Sequence, residues 1–137
     1  MKKIFLDTNI LIDLIADRKP HSKFTIELFE RAESQKLKLY TSSHSLATTY
    51  YLLRKHVDDK RLRHILLELL EFVIIIPIDI YIIKRGLKSK HKDFEDALQI
   101  MAAVSIDKMD CIITRDLKDF RYSEIPVFSP DEILKKI

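Results

Sequence analysis

The segment "KIFLDTNILIDLIADR" at residues 3–18 joins a short apolar run to a second apolar pattern through the polar tripeptide "DTN". The run at 3–6 predicts a buried strand, and "DTN" is then its exit loop. In residues 9–18 the apolar side chains recur at the spacing of a helix, and Pro20 breaks the pattern. A buried strand that leads directly into a helix is typical of α/β folds.

The rest of the chain repeats this alternation of short β-branched runs and longer helical patterns. Further strands are predicted at 37–42, 72–78, 111–116 and 125–129. Further helices are predicted at 21–36, 43–56, 59–72, 79–90, 93–109 and 129–137. In the last helix, Ser129 suits the N-cap, Pro130 suits the first helical position, and Glu132 completes a capping box. The alternation predicts a parallel sheet of about five strands, covered by helices on both faces.

Composition excludes several classes of protein. The chain has 137 residues, which suits one domain covering residues 1–137 with a single hydrophobic core. The one glycine, Gly86, excludes the glycine-rich loops that bind nucleotide phosphates. The one cysteine, Cys111, excludes a disulfide framework and a cysteine-based zinc module. The formal net charge of +3 is too small to indicate nucleic-acid binding by itself.

The sequence contains no recognisable signal for secretion or membrane insertion. The start, "MKKIFLDTN", meets Asp7 after three apolar residues, unlike a signal peptide. The longest apolar stretch, "FVIIIPIDIYII" at 72–83, is interrupted by Pro77 and Asp79 and is too short to span a bilayer. We therefore expect a cytoplasmic protein without a membrane partner.

Acidic residues occur where predicted strands end and where a predicted helix begins. Asp7 comes directly after the first strand, and Asp116 comes just past the "CIIT" run, with Asp119 one turn further on. Asp93 and Asp96 begin the helix that leads into the "CIIT" strand. Open parallel sheets bind ligands beyond the carboxyl ends of their strands. If the two strands are neighbours, Asp7, Asp96 and Asp116 converge at one edge of the sheet.

Carboxylates gathered at one edge of a sheet repel each other and retain protons unless a cation neutralises them. A ligand set that consists only of oxygens favours hard ions, so the sequence predicts a site for Mg²⁺ or Mn²⁺. A metal ion in such a carboxylate cup activates a water and stabilises the charge that develops on a phosphodiester.

Each acid also has a structural interpretation, and the sequence leaves these alternatives open. Asp93 suits an N-cap, because carboxylates are favoured at helix N-termini. Asp116 suits the start of the turn "DLKDF", and Asp119 suits an exposed surface. Asp96 is harder to explain in this way, because one cap does not need further acids in the first turn. Asp7 is also harder to explain, because an acid that ends a buried strand is costly unless it is paired.

Three segments together resemble the signature segments of the PIN-domain nucleases. They are "FLDTNILID" at 5–13, "DFEDALQ" at 93–99 and "IITRDLKDF" at 112–120, in the order and spacing of that family. The segments "SSHSLATTYYLLRK" at 42–55 and "IPVFSPDEIL" at 125–134 are similar to the bacterial branch that includes VapC-type toxins. The resemblance covers essentially the whole chain.

The resemblance implies a three-layer α/β/α sandwich and an endonuclease that uses Mg²⁺ or Mn²⁺, usually on RNA. Carried over by position, the catalytic and metal-binding acids would be Asp7, Asp96 and Asp116, with Asp119 as a neighbour that could share the role. Asn9 and Thr114 would orient the carboxylates or the water at the metal. Many family members form homodimers, and many are toxins held silent by an antitoxin, so both partners are expected here.

One position departs from the pattern of the family. The family usually has a glutamate at the end of an "LAE"-like segment, whereas this chain has "LATTYY" with Thr48 at that place. A hydroxyl is a weaker and neutral ligand that could still orient a water. Asp93 could partly replace the missing charge as a metal ligand. The alternative function is therefore a catalytically weakened PIN-like domain that binds RNA or a protein partner.

Two other classes with acidic pockets fit the sequence less well. A phosphoacceptor domain needs an aspartate after a central strand and an acid pair after the first strand. Here Asp79 lies beyond Pro77, and Asp7 alone ends the first strand. A haloacid-dehalogenase-like phosphatase would need an acid where Asn9 stands. The resemblance to the PIN-domain nucleases therefore makes a metal-dependent ribonuclease the leading hypothesis.

Overall fold

The computed structural model describes residues 2–137, which contain five strands and seven helices. The strands are β1 (Lys3–Leu6), β2 (Lys38–Ser42), β3 (Val73–Ile76), β4 (Cys111–Ile113) and β5 (Val127–Phe128). The helices are α1 (Thr8–Ile15), α2 (His21–Ser34), α3 (Ser43–Leu53), α4 (Asp59–Leu69), α5 (Ile80–Lys88), α6 (Phe94–Val104) and α7 (Pro130–Leu134).

The five strands form one parallel sheet in the order β3-β2-β1-β4-β5. β1 lies in the middle, with β2 on one side and β4 on the other. The strand order reverses at this point, and open α/β sheets bind ligands beyond the carboxyl ends of the strands at such a switch point. The pairing places Leu6 opposite Ile113. The residues that follow β1 and β4 therefore emerge from the sheet side by side.

Helices cover both faces of the sheet, because successive side chains of a buried strand point to opposite sides. In β1, Ile4 and Leu6 belong to one hydrophobic cluster and Phe5 belongs to the other. Helices α1, α2, α3, α4 and α7 pack in the first cluster, and α5 and α6 pack in the second. This arrangement confirms the predicted α/β/α sandwich with a parallel sheet of five strands.

The strands on one side of β1 are shorter than predicted. β4 ends at Ile113 rather than at residue 116, and β5 is limited to Val127–Phe128. Beyond β4 the backbone N–H of Asp116 bonds to the hydroxyl of Thr114 at 3.0 Å instead of to a neighbouring strand. The chain turns there, which brings polar side chains to the edge of the sheet.

Helix boundaries follow local capping interactions. α1 begins at Thr8, because Asp7 is its N-cap, so the predicted exit loop "DTN" is the cap and first turn of the helix. α6 ends at Val104 rather than at residue 109. The predicted capping box at the start of α7 is present.

Cys111 is buried in β4, and burial raises the pKa of its thiol to about 12. That places Cys111 among the structural residues of the core, because the reactive thiolate form is suppressed. Across residues 2–137, no helix combines the length and the apolar character needed to cross a membrane.

Candidate active site

Asp7 stands at the end of β1, and only 6% of its surface is exposed. Its Oδ1 accepts hydrogen bonds from the backbone N–H of Thr8 at 2.8 Å and from Nε2 of Gln99 at 3.2 Å. Its Oδ2 accepts from the hydroxyl of Thr114 at 2.7 Å and from Nδ2 of Asn9 at 3.4 Å. Burial raises the pKa of Asp7, and the hydrogen bond from Thr114 is the largest effect that opposes this rise. The carboxylate is therefore fixed in position by donors on both oxygens.

Asn9 connects the end of β1 to the segment that follows β4. Its Nδ2 lies 3.3 Å from the hydroxyl of Thr114 and 3.3 Å from Oδ2 of Asp116. Its Oδ1 accepts a hydrogen bond from the backbone N–H of Arg115 at 3.3 Å. Thr114 is completely buried beneath this network. The two polar residues thus hold the carboxylate of Asp116 on the same side of the sheet edge as Asp7.

Asp96 reaches the same place from the first turn of α6. Asp93 is the N-cap of this helix, and its Oδ2 accepts a hydrogen bond from the backbone N–H of Asp96 at 3.0 Å. The side chains of Asp96, Asp7 and Asp116 line one pocket of about 350 Å³. Burial and the surrounding carboxylates, first that of Asp93, raise the pKa of Asp96 to about 7. An acid with such a raised pKa in a pocket is a mark of a functional site.

The sequence matches the family model described as PIN domain over residues 3–118. This range includes β1, β4 and α6, the elements next to the three carboxylates in the pocket. The chain belongs to the PIN-domain family.

Several known proteins are similar to this PIN domain over nearly its whole length. Ribonuclease VapC1 from Aquifex aeolicus (strain VF5) is 27% identical over 141 residues, which cover 98% of this chain and 95% of that protein. A chain of a toxin-antitoxin complex from Klebsiella pneumoniae is 26% identical, with a TM-score of 0.68 over 93% of this chain and 98% of that chain. A chain of DNA-bound VapBC from Salmonella typhimurium has the same fold, with 19% identity and a TM-score of 0.71 over 95% of this chain and 99% of that chain. The resemblance to PIN-domain proteins of the VapC type is confirmed.

The PIN pocket offers oxygen ligands of the kind that Mg²⁺ and Mn²⁺ prefer. Within residues 2–137, no three Asp, Glu, His or Cys side chains lie close enough together to form a ready-made ligand group. Asp7, Asp96 and Asp116 nevertheless share one pocket. Mg²⁺ keeps several of its waters and is usually held through one or two carboxylates. The donor set therefore fits a hydrated divalent ion rather than one enclosed by protein ligands.

Two of the predicted acids lie beside this pocket rather than in it. Asp93 and Asp119 line an adjacent pocket that also includes Asp96. Asp93 is exposed and caps α6, as its structural interpretation from the sequence proposed. Asp119 is exposed as well, and its backbone N–H bonds to the carbonyl of Asp116 at 3.1 Å. Of the two acids that follow β4, it is Asp116 rather than Asp119 that shares a pocket with Asp7.

Thr48 lines the pocket, on the helix where the family pattern has a glutamate. Its hydroxyl lies 3.5 Å from Nε2 of His44, and that nitrogen lies 3.8 Å from Oε1 of Glu95. His44 and Glu95 line the pocket as well. The sequence patterns gave no reason to place these two residues together, because they come from α3 and α6, far apart in the chain.

Gln99 is a central residue of the pocket that the sequence analysis did not identify. Its side chain is 2% exposed. Its Nε2 donates to Oδ1 of Asp7 at 3.2 Å and to the hydroxyl of Ser45, while its Oε1 accepts from the hydroxyl of Ser42 at 2.5 Å. Gln99 follows Asp96 by three positions and so lies on the same face of α6. This helical spacing was the signal in the sequence that could have found it.

Proposed function

We propose that this chain is a metal-dependent endoribonuclease and the toxin of a toxin–antitoxin pair. The observation that carries the proposal is the convergence of Asp7, Asp96 and Asp116 in one pocket of a PIN-domain protein. The relative from Aquifex aeolicus is named a ribonuclease, and the Klebsiella pneumoniae relative belongs to a toxin-antitoxin complex. The proposed cofactor is Mg²⁺ or Mn²⁺, because the donors are carboxylate oxygens.

Hydrolysis of a phosphodiester needs an aligned water and compensation of the charge that develops around phosphorus. A hydrated divalent ion bound in this pocket through one or two of the carboxylates would supply both the activation of the water and the charge compensation. Asp7 provides a fixed anchor, because hydrogen bonds immobilise both of its oxygens. Asn9 holds the carboxylate of Asp116 through Nδ2 at 3.3 Å. In this step the water oxygen would bond to phosphorus and release a proton, the bond from phosphorus to the 3′ oxygen would break, and the 3′ oxygen would take up a proton from solvent, which leaves a 5′-phosphate and a 3′-hydroxyl.

The direct test is cleavage of a panel of RNAs by the purified protein in Mn²⁺, Mg²⁺ or EDTA. The wild type is expected to cleave only when the metal is present. Asp96→Asn is expected to lose cleavage while its circular dichroism spectrum is unchanged, because the amide keeps the shape and removes the charge. Asp107→Asn is the matched control, since Asp107 is an exposed acid outside the pocket. Retained cleavage by folded Asp96→Asn would contradict the assigned role of this residue.

The second candidate function is binding of RNA or of a protein partner without catalysis. Thr48 favours it, because a neutral hydroxyl lines the pocket where the family pattern has an acid. Titration calorimetry with Mn²⁺ separates the two candidates. Saturable binding at millimolar metal supports the nuclease, and the absence of binding supports the non-catalytic function.

The proposed protein partners are an antitoxin and a second copy of the chain. The antitoxin is supported by the toxin-antitoxin complex among the similar structures, and the homodimer by the resemblance to the family. Co-purification with the product of a neighbouring small reading frame tests the first partner. Light scattering on the isolated protein tests the second. We further propose that the protein acts in the cytoplasm, where its RNA substrate is found.

A further inference from the structure

Asp13 is a buried carboxylate that binds two arginines beside the PIN pocket. It lies in α1, and its side chain has no exposed surface. Its Oδ2 accepts a hydrogen bond from Nε of Arg115 at 2.6 Å, and its Oδ1 accepts one from Nη2 of Arg115 at 3.1 Å. Nε of Arg18 lies 3.2 Å from Oδ1 of Asp13. One negative charge is therefore shared by two positive charges, which leaves the group of three residues with an excess of positive charge.

The two guanidinium groups keep donors that Asp13 does not use. A guanidinium carries more N–H groups than the one or two that each arginine directs at Asp13. The side chain of Arg115 is 29% exposed and that of Arg18 is 46% exposed. Both line the pocket that contains Asp7 and Asp96. Donors with fixed positions are thus presented toward the place where substrate would be bound.

A structural role accounts for only part of this arrangement. The pair of Asp13 and Arg115 ties α1 to the segment after β4, and that segment carries Asp116. Arg18 is not needed for this tie, because its own backbone N–H already bonds to the carbonyl of Asp13 at 3.1 Å. Holding a second long side chain in one geometry costs conformational entropy. A ligand that uses both guanidinium groups explains why the second arginine is held there.

RNA that enters this pocket brings phosphates close to carboxylates, which repel them. A divalent ion compensates the repulsion at the reacting phosphate, and the neighbouring phosphates need other cationic partners. Guanidinium groups bind phosphate oxygens through paired N–H donors, and Arg is favoured over Lys where this geometry matters. We propose that Arg18 and Arg115 form a subsite for a backbone phosphate next to the scissile one, with Asp13 as their positioning residue. This inference rests on the proposed function, because it assumes an RNA substrate in the pocket.

The test measures binding of a fluorescein-labelled single-stranded RNA by anisotropy in Ca²⁺ over a series of KCl concentrations. Cleavage of the same RNA in Mn²⁺ is measured in parallel. Each phosphate contact on a single strand contributes ~0.7 to the slope of log Kd against log salt. Arg18→Gln is therefore expected to lower that slope by ~0.7 and to weaken binding about fivefold at about 0.1 M salt.

Three further variants separate phosphate binding from effects on the fold. Arg63→Gln is the matched control, because it removes an exposed arginine that pairs with Asp59 on α4, outside the pocket, and its slope should not change. Arg115→Lys keeps the charge but loses the paired donors, so binding should weaken at an unchanged slope. Asp13→Asn keeps both arginines but no longer fixes them, so it should also weaken binding at an unchanged slope. A residue with only a structural role would lower the melting temperature without these effects on binding.

The outcomes distinguish the subsite from the proposed function. Suppose that the wild type cleaves RNA, and that the slope of log Kd against log salt is lower in Arg18→Gln but not in Arg63→Gln. This result supports both the phosphate subsite and the proposed nuclease. Cleavage with the same slope in the wild type and in Arg18→Gln overturns the phosphate subsite and leaves the nuclease intact. Binding that depends on Arg18, without cleavage in Mn²⁺, supports the subsite and overturns the hydrolysis. Absence of RNA binding overturns both.

Discussion

At the scale of single residues, Asp7 and Asp96 carry their charges in different surroundings. Asp7 is buried, which raises its pKa, and the donors on both of its oxygens oppose this rise. Asp96 is half-buried, and burial together with nearby carboxylates raises its pKa to about 7. In the metal-free protein Asp96 therefore holds a proton up to near-neutral pH, whereas a bound cation would favour the charged form.

The raised pKa of Asp96 predicts how the stability of the metal-free protein depends on pH. Its ordinary value is 3.8 and its value in the fold is about 7, so the folded state binds the proton more tightly than the unfolded chain does. The contribution of Asp96 to the free energy of unfolding should therefore fall as the pH rises from about 4 to about 7 and then level off. Asp96→Asn removes this penalty, although solvent screens the half-exposed carboxyl and reduces the gain well below the full shift. In EDTA at a pH above 7 the variant should raise the melting temperature by about 3 °C, or ~1 kcal/mol.

Melting curves recorded at two pH values provide the control for this prediction. Below pH 3.8 the wild type is already protonated at Asp96, so the gain from Asp96→Asn should disappear. Addition of Mg²⁺ should stabilise the wild type more than the variant, because the proposed metal site uses this carboxylate in the folded state. A variant with the same advantage at both pH values would contradict the assigned cause of the shift.

Thr48→Glu is predicted to strengthen metal binding. The side chain at this position lines the pocket, so a carboxylate there would face the cation. At an effective dielectric constant between those of water and a dry protein interior, one added charge a few ångströms away is worth ~1.4 kcal/mol, or about tenfold in affinity. Titration calorimetry with Mn²⁺ measures the change, and Thr48→Gln is the neutral control of the same length. Equal affinities for the Glu and Gln variants would show that position 48 does not face the metal.

Sequence patterns identified those site residues that lie directly at the end of a strand or at the start of a helix. Asp7 and Asp116 end neighbouring strands, and Asp96 begins a helix, so one rule about parallel sheets placed all three at one edge. The contact of Asp13 with Arg18 and Arg115 could not be predicted from the sequence, because Asp13 resembles any other polar position on an amphipathic helix. Its partner in the segment after β4 is a hundred residues away, and nothing local in either segment indicates the pairing.

At the scale of elements, local side-chain caps determine the start of every helix except α2 more clearly than local interactions determine the ends of the strands. The capping box of α7 was predictable, because Ser129 and Glu132 bond within four residues of chain. The ends of β4 and β5 were not predictable, since they depend on which neighbouring strand supplies hydrogen bonds. The β-branched run "FVIIIPI" gave a strand in the right place, but Pro77 lies outside β3, which ends at Ile76.

Ser129→Ala is predicted to destabilise the protein by about 1 kcal/mol, the usual effect of removing an N-cap side chain. The Ser129 hydroxyl caps α7, which packs in the first hydrophobic cluster through Ile133 and Leu134. Nη1 of Arg31 in α2 donates to the carbonyls of Leu134 and Ile137 at 2.8 and 2.9 Å. Urea unfolding measures the change. Ser129→Asp restores a capping side chain and should recover most of the loss, whereas equal loss in both variants would argue against capping as the cause.

At the scale of the whole molecule, one sheet joins two hydrophobic clusters and the pocket. The clusters lie on opposite faces of the same strands. If one cluster lost its packing, the strands that also support the other cluster would be exposed to solvent on one face. The carboxylates stand at the edge where β1 and β4 emerge, between helices of the two layers. The geometry of the pocket therefore depends on both clusters, and Ile12 of the first cluster itself lines the pocket.

We predict that the chain unfolds as a single cooperative unit. This prediction tests whether the chain forms one domain. Ile10→Val and Ile100→Val remove one methylene from fully buried positions in the first and the second cluster. Each should lower the free energy of unfolding by about 1 kcal/mol. Urea unfolding followed by far-ultraviolet circular dichroism and by tyrosine fluorescence should give one coincident transition for the wild type and for both variants. Two separate transitions, with each variant shifting only one of them, would mean that the faces of the sheet fold independently. In that case Asp96 on α6 could separate from Asp7 and Asp116 while the first cluster remained folded.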